Sequence, residues 1–275
     1  MKKLMMIVSL CLGVSMAMAQ TNCCENNSYT SDSGAKPTCK TVLNYDKNLI
    51  IGYSITFNYP IEEIETAVLA RLKSEGIEGS KKKNFYAFKE IKYNKLWNRK
   101  FDLYLHFTGS TNAGTINMLL SQGYDNFIIP AADCETTNKA LKWLTELDLD
   151  VQHYRYNLNM QTHQEEYENI DKALEKLEKK RASIEKKVRK NKDAWKKFEA
   201  SKTVVKEGDV NVDTKKIEKE QQQAQKLTEE KNELADELAK INKEIDSVKS
   251  DLEKKHNVIT DYKKEKPRTI NDDQK

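Results

Sequence analysis

The spacing of hydrophobic residues divides the chain into two regions. In the first region, short stretches alternate between apolar and polar positions, as half-buried strands do, at 51–57, 85–91 and 101–107. A helix is predicted over 60–76, because Pro60 suits a helix start, Gly76 suits a helix end, and apolar residues recur between them every three or four positions. These elements predict a compact first region.

Weaker patterns complete this region. They predict a short helix over 112–122, a short strand over 127–129, and a further helix that begins near Thr136 or Thr137, either of which suits an N-cap. We therefore predict an α+β head domain over 46–148, in which a small antiparallel or mixed sheet carries helices on one face. The polar segment before it, 20–45, is predicted to be a flexible tail that contains cysteines.

From Leu149 onward, apolar residues follow the three-four spacing of coiled-coil heptads. Two such runs, 149–198 and 217–262, flank a polar segment that contains Gly208. Their similar lengths predict an antiparallel coiled-coil hairpin over 149–265, with its turn near 203–213, followed by a disordered C-terminus over 266–275. The seam of the predicted hairpin includes Ile170, Leu174, Leu177, Ile184, Val188, Leu227, Leu234, Leu238, Ile241 and Ile245.

Folding about the middle of the turn places Leu177 opposite Leu238 and Leu174 opposite Ile241, although a shift of one heptad also aligns the seams. Charge favours this arrangement, because 176–197 contains eleven basic and three acidic residues, whereas 218–239 contains three basic and seven acidic residues. Opposite charges beside a seam select orientation and partner. One continuous rod and two disordered charged arms remain as alternatives.

The N-terminal segment predicts export. Lys2 and Lys3 precede an apolar stretch over 4–14, and an Ala-Met-Ala cleavage site ends at Ala19, so we expect a signal peptide over 1–19 and a secreted or periplasmic protein. An uncleaved anchor is the alternative. No later stretch is apolar enough to span a bilayer, so no membrane span is expected after signal cleavage.

Four cysteines follow the predicted cleavage site: Cys23, Cys24, Cys39 and Cys134. An even number in an oxidising compartment predicts disulfides, and four cysteines allow three pairings. Cys23 and Cys24 are adjacent and poorly placed to bond each other. A bond from one of them to Cys39 would close a short N-terminal loop, and a bond from the other to Cys134 would tie the tail to the head, but the sequence does not choose among the pairings. Free or metal-bound thiols are the alternative, but no paired CxxC spacing occurs.

The sequence contains few groups typical of catalysis. Phosphate-binding glycine loops, HExxH and GxSxG are absent, and the ten-residue separation of His153 and His163 does not suit metal ligation on one helical face. His106 and Asp102 are predicted on the outward face of the third strand, where a surface cluster is favoured over a general acid–base group. We expect no enzymatic activity, catalytic residue, cofactor or metal.

One basic segment is a candidate binding surface for an anionic partner. Aromatic residues are interleaved with the basic residues over 81–100, but predicted export disfavours nucleic acid and favours acidic glycans, lipid headgroups or acidic proteins. The alternative is a strand pair with lysines facing water and aromatics facing the core. The candidate residues are Lys81, Lys82, Lys83, Lys92, Lys95, Arg99 and Lys100.

The combination of an Ala-Met-Ala-Gln start, a 101–107 strand and a continuous helical tail resembles a group of secreted bacterial proteins with a small α+β head and a Lys/Glu-rich coiled coil. That resemblance implies no activity or catalytic residues. In architecture alone, the predicted hairpin resembles the basic arms of the periplasmic chaperone Skp. We expect a non-enzymatic scaffold or spacer that binds envelope proteins and is a candidate homo-oligomer; a Skp-like holdase and a hydrolase in the head are the alternatives.

Overall fold

The computed structural model describes residues 28–124, 126–130, 132–202 and 214–267. The chain divides into two compact units, Met1–Arg155 with Pro267–Lys275, and Tyr156–Lys266. The fold class is α+β. The described part contains the strands β1 (Thr38–Tyr45), β2 (Asn48–Phe57), β3 (Ser80–Lys82), β4 (Phe85–Lys92), β5 (Lys100–Gly109) and β6 (Gly114–Ser121), and the helices α1 (Ile61–Ser74), α2 (Cys134–Ser201) and α3 (Thr214–Lys264).

The first unit is built on a six-stranded sheet with the order β1-β2-β6-β5-β4-β3. Every neighbouring pair in this order is antiparallel. The predicted strands at 51–57, 85–91 and 101–107 are confirmed as parts of β2, β4 and β5. Of the two sheet types left open by the sequence, the antiparallel one is present.

One face of the sheet carries the main hydrophobic core. Apolar side chains of alternate sheet positions pack there against α1 and the beginning of α2, with Trp143 and Leu144 of α2 almost fully buried. The predicted helix at 60–76 is confirmed, because α1 follows Pro60 and the chain then turns at Gly76, whose φ is +76°. The helices of the first unit therefore cover one face, as expected.

The opposite face carries a smaller cluster. Leu43, Phe85, Tyr104 and Leu119 are buried there, and Phe127 packs against them. Phe127 forms an isolated bridge with Ser121, so the strand predicted at 127–129 is reduced to a single bridge. Both faces of the central strands are consequently buried.

Two predictions for the first unit are wrong. The segment 112–122 was predicted to be helical, but Gly114–Ser121 is the strand β6, which lies between β2 and β5. Its apolar run is buried on both faces, and periodicity alone does not separate such a strand from a helix. The predicted tail over 20–45 contains β1, which begins at Thr38.

The second unit consists of helical chain. Helix α2 has 68 residues and α3 has 51. The predicted head helix and the first heptad run are parts of one helix, α2, so the expected boundary at 148/149 falls inside a helix and the two units divide after Arg155. The turn predicted near 203–213, the signal peptide over 1–19 and most of the disordered end over 266–275 lie outside the described residues.

Candidate functional site

The second unit contains an apolar seam shared by α2 and α3. Ile184 from α2 is buried together with Leu234, Ile241 and Ile245 from α3. Leu174, Leu177, Val188 and Leu238 pack against this cluster, and Ile170 and Leu227 are half-buried. The heptad residues that the sequence predicts on the seam are therefore buried or half-buried in the structure. Such burial is the main source of stability for long helices.

Polar contacts across this seam fix which residues meet. The amide nitrogen of Asn191, a residue only 4% exposed, donates to the carbonyl oxygen of Leu227 over 3.2 Å and to Glu230 over 3.1 Å. The predicted register would have placed Asn191 opposite Ala224. The register is therefore wrong by about one helical turn, because a three-four seam is satisfied in several registers and the polar contacts select among them.

The other end of the shared seam is aromatic and charged. The rings of Tyr156 and Tyr262 stack with centroids 5.1 Å apart, and Asn159 donates to the Tyr262 hydroxyl over 3.0 Å. Lys255 donates to Nδ1 of His163 over 2.9 Å and pairs with Glu166. The hydrogen bond and the charge of Lys255 lower the pKa of the Glu166 carboxyl. His163 therefore lies in a packed cluster on the seam, in line with the sequence argument against a metal-ligand role for this residue.

These contacts run in a consistent direction. The α2 residue decreases from Asn191 through Glu178 to Tyr156, while its α3 contact increases from Leu227 through Lys249 to Tyr262. At 1.5 Å per residue, this series extends over about 50 Å of α2. The outer surfaces of both helices are mostly exposed and charged over this length. The arrangement can present long charged faces to a partner while its apolar positions stay covered.

A groove opens beside this seam. It has a volume of about 510 Å³. Trp195 is one of its lining residues. The Trp195 indole nitrogen is buried without a hydrogen-bond partner among the described residues, and its ring contacts that of Phe198 edge-on with centroids 5.6 Å apart. Buried indole N–H groups usually have an acceptor. The lining residues are Val188, Asn191, Lys192, Trp195, Glu199, Lys231 and Leu234.

The basic segment of the first unit is split by the structure. The turn that contains Lys83 precedes β4, whereas Lys92 ends β4 and pairs with Lys100 of β5. An eight-residue strand separates the two groups by about 25 Å. The group with Lys81, Lys82 and Lys83 borders a cavity of about 190 Å³ beside the β1–β2 turn, and the other group comprises Lys92, Lys95, Arg99 and Lys100.

Many of these cations have acidic partners. Lys83 pairs with Asp46, Lys95 pairs with Glu75 over 2.5 Å, and Lys81 lies 3.6 Å from Glu65. The interleaved aromatics Phe85, Phe88 and Tyr93 are buried, so their faces do not form a stacking surface. This arrangement favours the second interpretation of the segment, in which the lysines face water and the aromatic residues face the core, over a single binding surface.

Asp102 and His106 lie on the face of β5 opposite the main core. Asp102 is 5% exposed, accepts from Lys89 over 2.8 Å and accepts from the backbone nitrogen of Glu90 over 2.8 Å. His106 packs against the Phe85 ring, and burial lowers its pKa. The Asp102 carboxylate is therefore committed to holding the irregular β4–β5 pairing, where Glu90 has a φ of +49°.

Two of the predicted disulfide cysteines lie in the described part. Cys39 is 2% exposed in β1, and Cys134 begins α2. Cys23 and Cys24 lie outside the described residues, so the expected pairings with them stay predictions. Sequence reasoning did not find the groove at Trp195, because its lining depends on which α3 residues face α2.

Within the described ranges, no group of three or more His, Cys, Asp or Glu side chains could hold a metal ion. None of the helices in the same ranges has an apolar stretch long enough to cross a membrane. Comparisons with family models, with curated proteins and with solved structures found no match to the chain.

Proposed function

We propose that the protein is a non-enzymatic scaffold or spacer of the cell envelope, in which α2 and α3 form an antiparallel coiled-coil hairpin. The observation that carries this proposal is the series of contacts from Asn191–Leu227 to Tyr156–Tyr262, which extends over about 50 Å. Paired long helices with a covered seam resist bending and keep their outer faces free for partners. The first unit supplies a compact domain joined to these helices through α2.

Export and disulfides are parts of the same proposal. The signal peptide over 1–19 would direct the chain to an oxidising compartment, where Cys23 and Cys24 would pair with Cys39 and Cys134. Such bonds would attach the N-terminal segment to β1 and to the start of α2. Mass spectrometry of the mature protein, digested without reduction, should show Gln20 as the first residue and two intramolecular disulfides.

The scaffold proposal is tested by comparing specific partner binding with chaperone activity. A photo-crosslinker at Ala182 or Lys240, both exposed, should produce a small number of discrete adducts in the envelope of the source cell. The same labels in a Leu177→Pro variant should lose these adducts, because proline breaks α2 at the seam. Adducts that survive this change would contradict binding through the paired helices.

Holdase activity is the outcome that would replace the scaffold proposal. The mature protein, added at equal concentration to a chemically unfolded test protein, should leave its aggregation unchanged. A holdase would instead suppress aggregation, with the groove at Trp195 as the first candidate for client contact. Serum albumin at the same concentration is the control for nonspecific protection.

A further inference from the structure

The charges of the second unit are separated along its length. Over 176–197, eleven basic and three acidic residues give a net charge of +8, and the adjacent α3 stretch, 222–243, has four basic and five acidic residues. Over 165–175, five acidic and one basic residue give −4, and the adjacent stretch, 245–255, has three of each sign. We call the first pair of stretches the basic portion, with net charge +7, and the second pair the acidic portion, with net charge −4.

The two portions act as separate charges. Their centres on α2 lie about 16 residues apart, which is about 25 Å along a helix. This separation exceeds the Debye length of about 8 Å at physiological ionic strength. Another molecule with the complementary order of charges can therefore bind both portions at once.

A second copy of this chain, aligned antiparallel, has that complementary order. Its acidic portion would lie beside the basic portion of the first copy, and the reverse contact would form by two-fold symmetry. A parallel alignment would place each portion beside its own copy and would be repelled. The charges thus distinguish the antiparallel arrangement from the parallel one.

Most of the residues that line the groove at Trp195 belong to the basic portion. When the two portions are centred on each other, Leu158 of the second copy falls opposite Glu199, at one end of the groove. Leu158 is 41% exposed and is one of two exposed large apolar residues in the described part of this unit, with Val258.

We propose that the second unit is a self-association surface, on which two copies pair antiparallel, the acidic portion of each copy lies beside the basic portion of the other, and Leu158 of each lies at one end of the other's groove. This inference rests on the hairpin proposed above. It goes further by naming the partner, the alignment and the residues that meet. Lys192 and Lys231, which line the groove, would face the partner's carboxylates.

The test is sedimentation velocity of the full mature chain, with two charge-reversal variants. One variant carries Lys186→Glu and Arg189→Glu in the basic portion, and the other carries Glu168→Lys and Asp171→Lys, the residues that face them in this alignment; all four side chains are exposed. The wild type should form a dimer whose dissociation constant rises at least about tenfold between 50 and 500 mM salt. Each variant alone should dimerise more weakly than the wild type, because the two changes shift the net charge of the basic portion from +7 to +3 or that of the acidic portion from −4 to 0. An equimolar mixture of the two variants should dimerise more tightly than either alone, because the reversed residues then face each other. Lys73→Glu in α1, an exposed reversal in the other unit, is the matched control and should dimerise normally.

A wild type that stays monomeric at low salt would overturn the self-association proposal and leave the groove for a different acidic partner. A dissociation constant that is unchanged in both variants, or that does not fall on mixing them, would also overturn it. Circular dichroism and intramolecular crosslinks between α2 and α3, measured on the same samples, separate this failure from failure of the hairpin. If those crosslinks form and no dimer appears, the hairpin stands and the self-association proposal is wrong.

Discussion

Replacing Ile241 by alanine should loosen the helical unit strongly. Ile241 is 1% exposed and packs in the cluster with Ile184, Leu234 and Ile245. The change removes three carbon groups, each contributing about 0.8 kcal/mol when buried, and leaves a cavity. We therefore expect a loss of about 3 kcal/mol, within the range of about 2–5 kcal/mol for such truncations.

Hydrogen exchange followed by mass spectrometry measures this loss in the affected helices. A destabilisation of about 3 kcal/mol corresponds to roughly 100-fold faster exchange of protected amides around Ile184 and Ile241. Val258→Ala is the matched control, because Val258 lies on the same helix and is 45% exposed; it should change exchange by less than about threefold. Equal effects of the two substitutions would refute the shared seam as the source of stability.

Other predictions concern polar groups. Asn191→Leu should raise the urea midpoint of helical unfolding, because a buried seam amide fixes register at the expense of stability. The same change should broaden the distribution of α2–α3 distances measured between spin labels, and a distribution as narrow as that of the wild type would contradict this role. Arg71→Ala should destabilise the first unit by about 3 kcal/mol in urea unfolding followed by tryptophan fluorescence, since it leaves Asp150 half-buried without its 2.5 Å partner; a loss below about 1 kcal/mol would argue against this pair. Lys255 lowers the pKa of Glu166, so the stabilisation is complete above the unfolded pKa of about 4.3 and is lost as pH falls through the lower folded pKa. Glu166→Gln should remove that part of the acid sensitivity in urea unfolding, and an unchanged pH profile would show that the pair contributes nothing.

The first unit shows which elements the sequence could predict. Strands β2 and β5 alternate apolar with polar or small residues in the sequence, so their pattern was sufficient. Strand β6 is buried on both faces and therefore lacks alternation. Strand β1 is interrupted by a register shift between Thr38 and Thr41, which breaks the period of two at the point where the strand begins.

The second unit shows a different limit. Heptad spacing identified the residues that are buried on the seam, because burial along a helix follows its local periodicity. Register depends on contacts between residues far apart in sequence, such as Asn191 with Glu230, and these are not encoded in the period. The groove at Trp195 follows from that register, so it could not be inferred from the sequence.

The basic segment of the first unit shows a related limit. Its residues are close in sequence, but β4 places Lys83 and Lys92 at opposite ends of a strand. Acidic partners such as Asp46 and Glu75 come from other elements, so the composition of 81–100 does not reveal them. Sequence proximity therefore exaggerated the local density of unpaired charge.

Zero-length carbodiimide crosslinking of the monomeric fraction tests the paired helices most directly. Glu178 and Lys249 lie 3.7 Å apart, and Glu166 pairs with Lys255, so both pairs should become amide-linked within one molecule. The pair Glu175–Lys179, one turn apart on α2, is the internal control for reactivity. If the control link forms and both α2–α3 links are absent, α2 and α3 do not pair as described. In one continuous helical rod, Glu178 and Lys249 would instead lie about 100 Å apart.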